Sequence, residues 1–335
     1  MVRFCQKFIP KYVIKKEKSA MFISSLPPVH LEELLKSIIE HPIVDAVRYN
    51  TGVRSAYNPY ETISRILALT VPLNKPLYID LKGKQLRAIE WGIVPDSPVI
   101  LNHKITVELP AEIHMRGDAR GIVRKINNGN ELYVDCKEGL VGKGQSINIL
   151  GKNLKIEGGL LDLDHQYIRA MLDLGLMRFM LSFVENKDDV RELQEAIVRH
   201  SRGTVSVDEC EIVFKIESQA GMDFVRNELT EKHFSEGSAY RLMAARDDLQ
   251  IHIGVDQMPA ATRDIVRKDP RSICASRLLM GLEDGGVTEA DKSDVEHMRT
   301  LGYKHFMLSD GISREHSVEA LKFWQEYCAS RPFEK

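Results

Sequence analysis

From Met21 onward the chain repeats one pattern eight times: a short β-rich apolar run, then an amphipathic stretch at helical spacing. The runs are residues 21–24, 45–49, 76–81, 178–183, 211–216, 241–245, 272–275 and 305–308. The helical stretches are 31–40, 60–69, 164–174, 188–200, 221–229, 258–267, 290–301 and 317–327. Parallel neighbours cannot be joined by a tight hairpin, so alternation of this kind implies parallel strands with crossover helices. Eight such units close into a barrel more readily than they spread into an open sheet.

The expected fold class is therefore α/β, a (β/α)8 TIM barrel. Such a barrel takes roughly 250 residues, and the chain has 335. The surplus falls at 88–159, where the pattern changes to short alternating strands at 106–110, 122–126, 131–135 and 146–150. Asn127-Asn128-Gly129-Asn130 between two of them is a hairpin signal. This predicts a small all-β domain inserted after the third strand, on the face where barrels of this type place their chemistry. The organisation expected is a basic N-terminal arm at 1–20, a barrel from 21–87 and 160–335, and an inserted β lid domain at 88–159.

Composition narrows the function class. Forty-six Lys+Arg against 48 Asp+Glu give a formal net charge of −2, which argues against a nucleic-acid binder that must release counterions. No apolar stretch reaches the ~18–20 residues of a membrane helix, so no membrane partner is expected. The five cysteines, Cys5, Cys136, Cys210, Cys274 and Cys328, are scattered and odd in number, which fits a reducing cytoplasm and no disulfide framework. In the first twenty residues Arg3, Lys7, Lys11, Lys15, Lys16 and Lys18 face one acid, Glu17, without the apolar core of a signal peptide.

In these barrels catalytic side chains stand at the C-terminal ends of the strands. The second run ends in Arg48 and Asn50, and the third in Asp80 and Lys82 with Arg87 following. The fifth ends in Lys215 and Glu217, the sixth in Arg246, Asp247 and Asp248, the seventh in Ser276 and the eighth in Ser309. The spacing Lys215-Ile-Glu217 puts ammonium and carboxylate on one face of a strand. Glu217 with Asp248 could hold a hard divalent cation, which takes one or two carboxylates plus substrate oxygens and water. Arg48, Arg87 and Lys215 supply positive charge for a phosphate or carboxylate. A strand-end salt bridge is the bland account of the Lys215–Glu217 pair. A Schiff-base role for Lys215 is opposed by the adjacent carboxylate, which keeps the amine charged. His252 and His305 lie beside strand ends as weaker ligand candidates, and no P-loop, dinucleotide fingerprint or H-E-x-x-H motif is present.

In order along the chain, VRYNTG (47–52), IDLKGKQLR (79–87), LSFVENKDDV (181–190), KIESQAG (215–221), AARDDL (244–249), ICASRLL (273–279), VTEADKSDV (287–295) and FMLSDG (306–311) resemble pyruvate kinase. The resemblance runs over essentially 21–327, and the inserted β segment falls where that family carries its lid. It implies that Lys215 is the catalytic lysine steadying the phosphoryl group and enolate oxygen. It makes Glu217 and Asp248 the carboxylates for Mg²⁺ or Mn²⁺, Arg48 a phosphoryl contact, and Arg87 an arginine reaching across the lid cleft. Ser276 stands where the family has a threonine that helps deliver a proton to the enolate, and Asn50 and Asp80 match two K⁺ ligands.

The departures cluster. Asp247 and Gln250 replace two family glycines, the first of which lets backbone N–H groups approach the substrate carboxylate. Gly52, Val53 and Arg54 stand for a serine, a histidine and a glycine, and Leu81 for a threonine, so K⁺ and nucleotide (ADP/ATP) positions are altered. The lid is shorter, and the family has a further C-terminal domain beyond the point where this sequence ends. The reading is a pyruvate kinase-like, divalent-metal enzyme acting on phosphoenolpyruvate- or pyruvate-type acids through an enolate, by phosphoryl transfer. The alternatives are a metal-dependent lyase or aldolase on a 2-oxo acid without nucleotide, and a degenerate homologue that binds a metabolite or a partner. The family's tetramer is not assumed, and apolar barrel helices leave a homodimer open.

Overall fold

A computed structural model describes residues 20–53, 55–115, 119–235 and 237–333; all of the predicted basic arm but Ala20 lies outside them. The chain opens with β1 (Met21–Ser25), α1 (Glu32–Glu40), β2 (Ala46–Asn50), α2 (Pro59–Thr70) and β3 (Leu77–Leu81). Short strands follow: β4 (Gly92–Val94), β5 (Val99–Ile100), β6 (Ile105–Thr106), β7 (Ala111–His114), β8 (Arg120–Asn127), β9 (Glu131–Cys136), β10 (Gly139–Val141), β11 (Asn148–Leu150) and β12 (Lys155–Ile156). Alternation then resumes with α3 (Asp162–Asp173), β13 (Arg178–Leu181), α4 (Lys187–His200), β14 (Glu211–Ile216), α5 (Gln219–Asn227) and β15 (Tyr240–Ala245). The last part is α6 (Arg246–Ile253), α7 (Met258–Lys268), β16 (Ile273–Ala275), α8 (Glu289–Leu301), β17 (His305–Met307), α9 (Asp310–Glu315) and α10 (Ser317–Ser330).

Eight of these strands form one closed barrel in the order β1-β17-β16-β15-β14-β13-β3-β2, every neighbouring pair parallel. They correspond one for one to the eight apolar runs. All are buried along almost their whole length, which is why the runs read as continuously apolar rather than alternating.

The two-residue strand period then decides what the barrel interior contains. Ala46, Tyr78, Met180 and Val213 pack inside the barrel with Met243 and Met307. Two residues further along the same strands, on the same inward face, stand Arg48, Asp80, Ser182 and Lys215. The interior thus passes from apolar to charged on moving towards the C-terminal ends of the strands.

Between β3 and α3 the chain forms a five-stranded antiparallel sheet, β11-β7-β8-β9-β5, and the pairs β10-β4 and β12-β6. These strands share an apolar cluster of their own around Ile113, Val123, Leu132 and Ile149. At the tip of the β8–β9 hairpin, Asn128 and Gly129 have φ of 51° and 81°, the left-handed centre of a tight turn in which the Asn130 N–H donates to the Asn127 carbonyl at 3.1 Å.

Two helices and one strand differ from the sequence reading. The strand expected at 106–110 stops at Thr106, where Pro110 offers no N–H and the Glu108 N–H turns to the Lys152 carbonyl at 3.0 Å. The helix α6 starts directly from the end of β15 and α9 starts just after Leu308 and Ser309 at the end of β17, where only strand ends were expected. No helix among the described residues is long and apolar enough to cross a membrane.

Candidate functional site

The centre of the charged layer is Asp80, which is fully buried. Its carboxylate accepts the Arg48 Nε–H at 2.9 Å and a second Arg48 bond from Nη2, and it lies 3.2 Å from Lys215 Nζ and 3.4 Å from Lys82 Nζ. The Ser182 hydroxyl donates to it at 3.2 Å. Burial alone would push this acid up, but Arg48, Lys215 and Lys82 together hold it well below the usual carboxylate range.

Lys215 reaches the same layer from β14. Its ammonium donates to Ser182 Oγ at 2.8 Å and stands 3.1 Å from Glu217 Oε1. Burial disfavours the charge, yet Asp80 and Glu217 outweigh it and raise the pKa, so the amine stays protonated. An ammonium held this way is not a Schiff-base nucleophile.

Lys82 differs: it too is buried, and burial is the largest effect on it. Arg87, Lys215 and Arg48 crowd it further, and although Asp80 opposes them its pKa falls to about 7. Its backbone N–H and that of Gly83 are held by the buried Asp164 carboxylate of α3, at 2.8 and 3.1 Å. Asp164 was not among the expected site residues, because its role is to anchor a backbone.

Glu217 lies one residue past the end of β14. Oε2 accepts the Phe183 N–H at 2.7 Å, and Phe183 adopts a left-handed φ of 52°, a strained choice for an aromatic residue. The Glu217 carboxyl is pushed up to about 7, chiefly by burial; Asp248 and Asp80 add to the rise and Lys215 opposes it. Asp248, in the first turn of α6, accepts the Asn148 side-chain N–H at 2.8 Å from β11. Glu217 therefore feels the charge of Asp248 at the mouth of the barrel. Among the described residues no set of three or more His, Cys, Asp or Glu gathers into a metal cage.

The remaining predicted residues divide. Arg48 donates to Ser25 Oγ at 2.9 Å and to Asp310 Oδ1 at 2.6 Å, besides Asp80. Asn50 donates to Asp310 Oδ2 at 2.6 Å, while its own Oδ1 accepts the Gly52 N–H at 2.9 Å. Arg87 leaves the barrel towards the inserted strands: Nε and Nη2 donate to Gln85 at 3.1 and 2.8 Å, and Nη1 donates to the Gly144 carbonyl at 2.6 Å. Its guanidinium lies against Gly52, where a β-carbon would stand 2.7 Å from Arg87 Cζ.

Arg246 is committed elsewhere, with two 2.8 Å bonds to Asp294 and two bonds to the Ser276 carbonyl at 2.9 and 3.2 Å. That clamp fixes Ser276 in a left-handed turn at φ 63°. Asp247 is half-buried, and burial and then Asp248 push its carboxyl up, with Arg277 and the Ser276 hydroxyl opposing. Of the two histidines, His252 Nε2 pairs with Asn148 Oδ1 at 3.1 Å, whereas His305 begins β17 at the opposite end of the barrel.

Ser182, Ser25 and Asp310 belong to this cluster and were not expected in it. The signal for Asp310 was available, since it is the fifth residue of FMLSDG, just past the eighth strand. For the two serines the strand period alone gives the signal.

Comparison with known proteins follows the same outline. Residues 75–316 match the family description "Pyruvate kinase, barrel domain". The pyruvate kinase of Methanocaldococcus jannaschii is 23% identical over 299 residues, covering 84% of this chain and 63% of the relative. That of Bacillus licheniformis is 28% identical over 211 residues, 61% of this chain and 32% of the relative. The chain thus spans less than two thirds of the length of either. In structure it is similar to the pyruvate kinase of Pyrobaculum aerophilum, with a TM-score of 0.69 at 18% identity, covering 94% of this chain and 74% of that one. A family match over most of the barrel, on a chain whose eight strands close in this order, means that the chain belongs to the pyruvate kinase family.

Proposed function

We propose that the chain is a phosphotransferase of pyruvate kinase type, acting on phosphoenolpyruvate- or pyruvate-type acids through an enolate, with a nucleoside diphosphate as phosphoryl acceptor. The observation that carries this reading is the Lys215 ammonium, buried and held charged between Asp80 and Glu217 at the barrel mouth. Phosphoryl transfer asks for positioning and positive charge rather than covalent catalysis. A fixed ammonium in a dry layer favours the developing enolate and phosphoryl oxygens more than any exposed lysine could. Arg48 and Arg87 would supply further donors to an anion, and the Ser276 hydroxyl would pass a proton to the enolate carbon.

Glu217 and Asp248 would hold a divalent ion. The negative charge of Asp248 raises the proton affinity of Glu217, a repulsion that a cation between the two would relieve, and a two-carboxylate donor set suits Mg²⁺ or Mn²⁺ with substrate oxygens and water completing the shell. The ion would neutralise charge on the transferring oxygens. Glu217→Gln keeps the acceptor for the Phe183 N–H but removes the charge. We expect it to weaken Mn²⁺ binding at least about 10–100-fold, read by paramagnetic titration of the free protein.

A monovalent cation does not fit in the same way. Asp80 already faces three cationic side chains and a hydroxyl, and Asn50 Oδ1 is occupied by a backbone N–H. The proposed activity is therefore independent of K⁺.

Gly52 tests the Arg87 assignment. A β-carbon there pushes only the end of a flexible side chain, so Gly52→Ala leaves thermal stability nearly unchanged. Displacement of the guanidinium by about 1 Å should cost up to about 100-fold in kcat/KM for phosphoenolpyruvate. Unchanged kcat/KM would remove Arg87 from the substrate contacts.

The reading as a whole is tested by ³¹P NMR of the protein with phosphoenolpyruvate and Mg²⁺, with and without ADP. Loss of the phosphoenolpyruvate signal with ATP appearing, only when ADP is present, is the expected result. No change in either tube overturns it.

A further inference from the structure

Arg48 has five N–H donors, and four protein bonds already draw on them. Three come from the barrel wall, two to the buried Asp80 and one to Ser25. The fourth comes from Asp310 on the first turn of α9, and the same carboxylate spans across to the Asn50 amide. Each oxygen of Asp310 thus has its own donor at 2.6 Å, the two coming from alternate residues on one face of β2. This is the geometry in which an incoming anion would be received.

The two carboxylates on Arg48 are not equivalent. The Asp80 side chain has no exposure, whereas that of Asp310 is 41% exposed. Asp310 is also free of capping duty, since Ser309 serves as the N-cap of α9 and accepts the Ile312 N–H. Its one-carbon stem can turn outward into solvent without disturbing the barrel, which Asp80 cannot do.

We infer that Asp310 is a resident anion: its carboxylate occupies the place on Arg48 and Asn50 that the substrate's anionic group takes, and it must swing out before that group binds. The inference rests on the proposed reading of Arg48 as a substrate contact. With Asp310 in place, an arriving phosphoryl group meets an already neutralised guanidinium and a like charge beside it. The wild-type affinity for anions is accordingly held below what Arg48, Lys215 and Arg87 could provide.

The test is calorimetric titration of wild type, Asp310→Asn and Asp310→Ala with phosphoenolpyruvate plus Mg²⁺, and separately with inorganic phosphate. The asparagine is isosteric, so it guards against a folding defect in the alanine variant, and a gain in affinity cannot come from structural damage. The expected result is a Kd about tenfold lower for both probes in both variants, the scale of one charge-assisted hydrogen bond that no longer has to be broken. Wild-type binding with an unchanged or higher Kd in the variants overturns the inference, makes Asp310 a residue that positions Arg48, and leaves the functional reading intact. Absence of binding by all three proteins overturns both.

Discussion

Lys215→Met should lower kcat for phosphoryl transfer from phosphoenolpyruvate by about 10²–10³-fold, the size of effect seen when one preorganised charge or donor is removed from a developing oxyanion. The protein should still fold. Asp80 keeps Arg48 and Lys82 as partners. Glu217 loses its cation, but its carboxyl already titrates at about 7 and would simply take up a proton in the buried site. The loss should therefore fall on kcat, with KM for phosphoenolpyruvate changed far less, since Arg48 and Asp248 remain and a bound divalent ion displaces the proton from Glu217. A second assay separates enolate chemistry from nucleotide chemistry. Exchange of the pyruvate methyl protons into D2O, followed by ¹H NMR with Mg²⁺, should be fast in wild type and lost in the variant. Retained exchange and turnover in Lys215→Met would sink the role assigned to this residue.

How much of this could be read in advance differs by element. The barrel was legible because each of its strands is short, apolar and walled off by a helix on the outside, so each left a run of β-branched and apolar residues. The strand period also carried Arg48, Asp80 and Lys215 to one level, because Ala46, Tyr78 and Val213 lie two residues before them on the same inward face. Helix α6 was not legible. Of its eight residues only Arg246, Leu249 and Ile253 are buried, too few for a 3.6-residue stripe to stand out from the strand it continues. Similarly β5, β6 and β12 are two residues long, which leaves no period to detect.

The site was half legible for a related reason. Residues that end strands on a charge announce themselves; those that act through a backbone or a small hydroxyl do not. Ser182, Ser25 and the Phe183 N–H look like ordinary core sequence until Asp80, Arg48 and Glu217 are placed against them. Asp310 lay just past Ser309, the residue expected to end the eighth strand. Arg246, chosen for its charge at a strand end, turned out to bind Asp294 and a carbonyl and to serve the turn at Ser276.

Asp80→Asn should be the most damaging single change to stability. The substitution is nearly isosteric, yet it leaves Arg48, Lys215 and Lys82 around a neutral amide at the bottom of the charged layer. Breaking a buried charge pair from one side costs about 3–5 kcal/mol, because the surviving charge keeps its desolvation penalty without its partner. Partial relief comes from Asp310 on Arg48, from Glu217 on Lys215, and from Lys82 releasing its proton, which is easy at a pKa of about 7. The expected outcome is thus a loss near the lower end of that range, measured by urea unfolding at pH 7. The sign of the pH dependence follows from the direction of the Asp80 shift. Its folded pKa lies well below the unfolded 3.8, so its contribution is fully present above about pH 4 and drains away as pH falls through the folded value. The gap in unfolding free energy between wild type and Asp80→Asn should therefore widen from pH 8 to pH 5, where the folded wild type protonates Lys82 and the variant does not, and narrow below about pH 4 as Asp80 itself is protonated. A gap that went on widening below pH 4, or a variant as stable as wild type at pH 7, would mean that Asp80 does not hold the three cations in place.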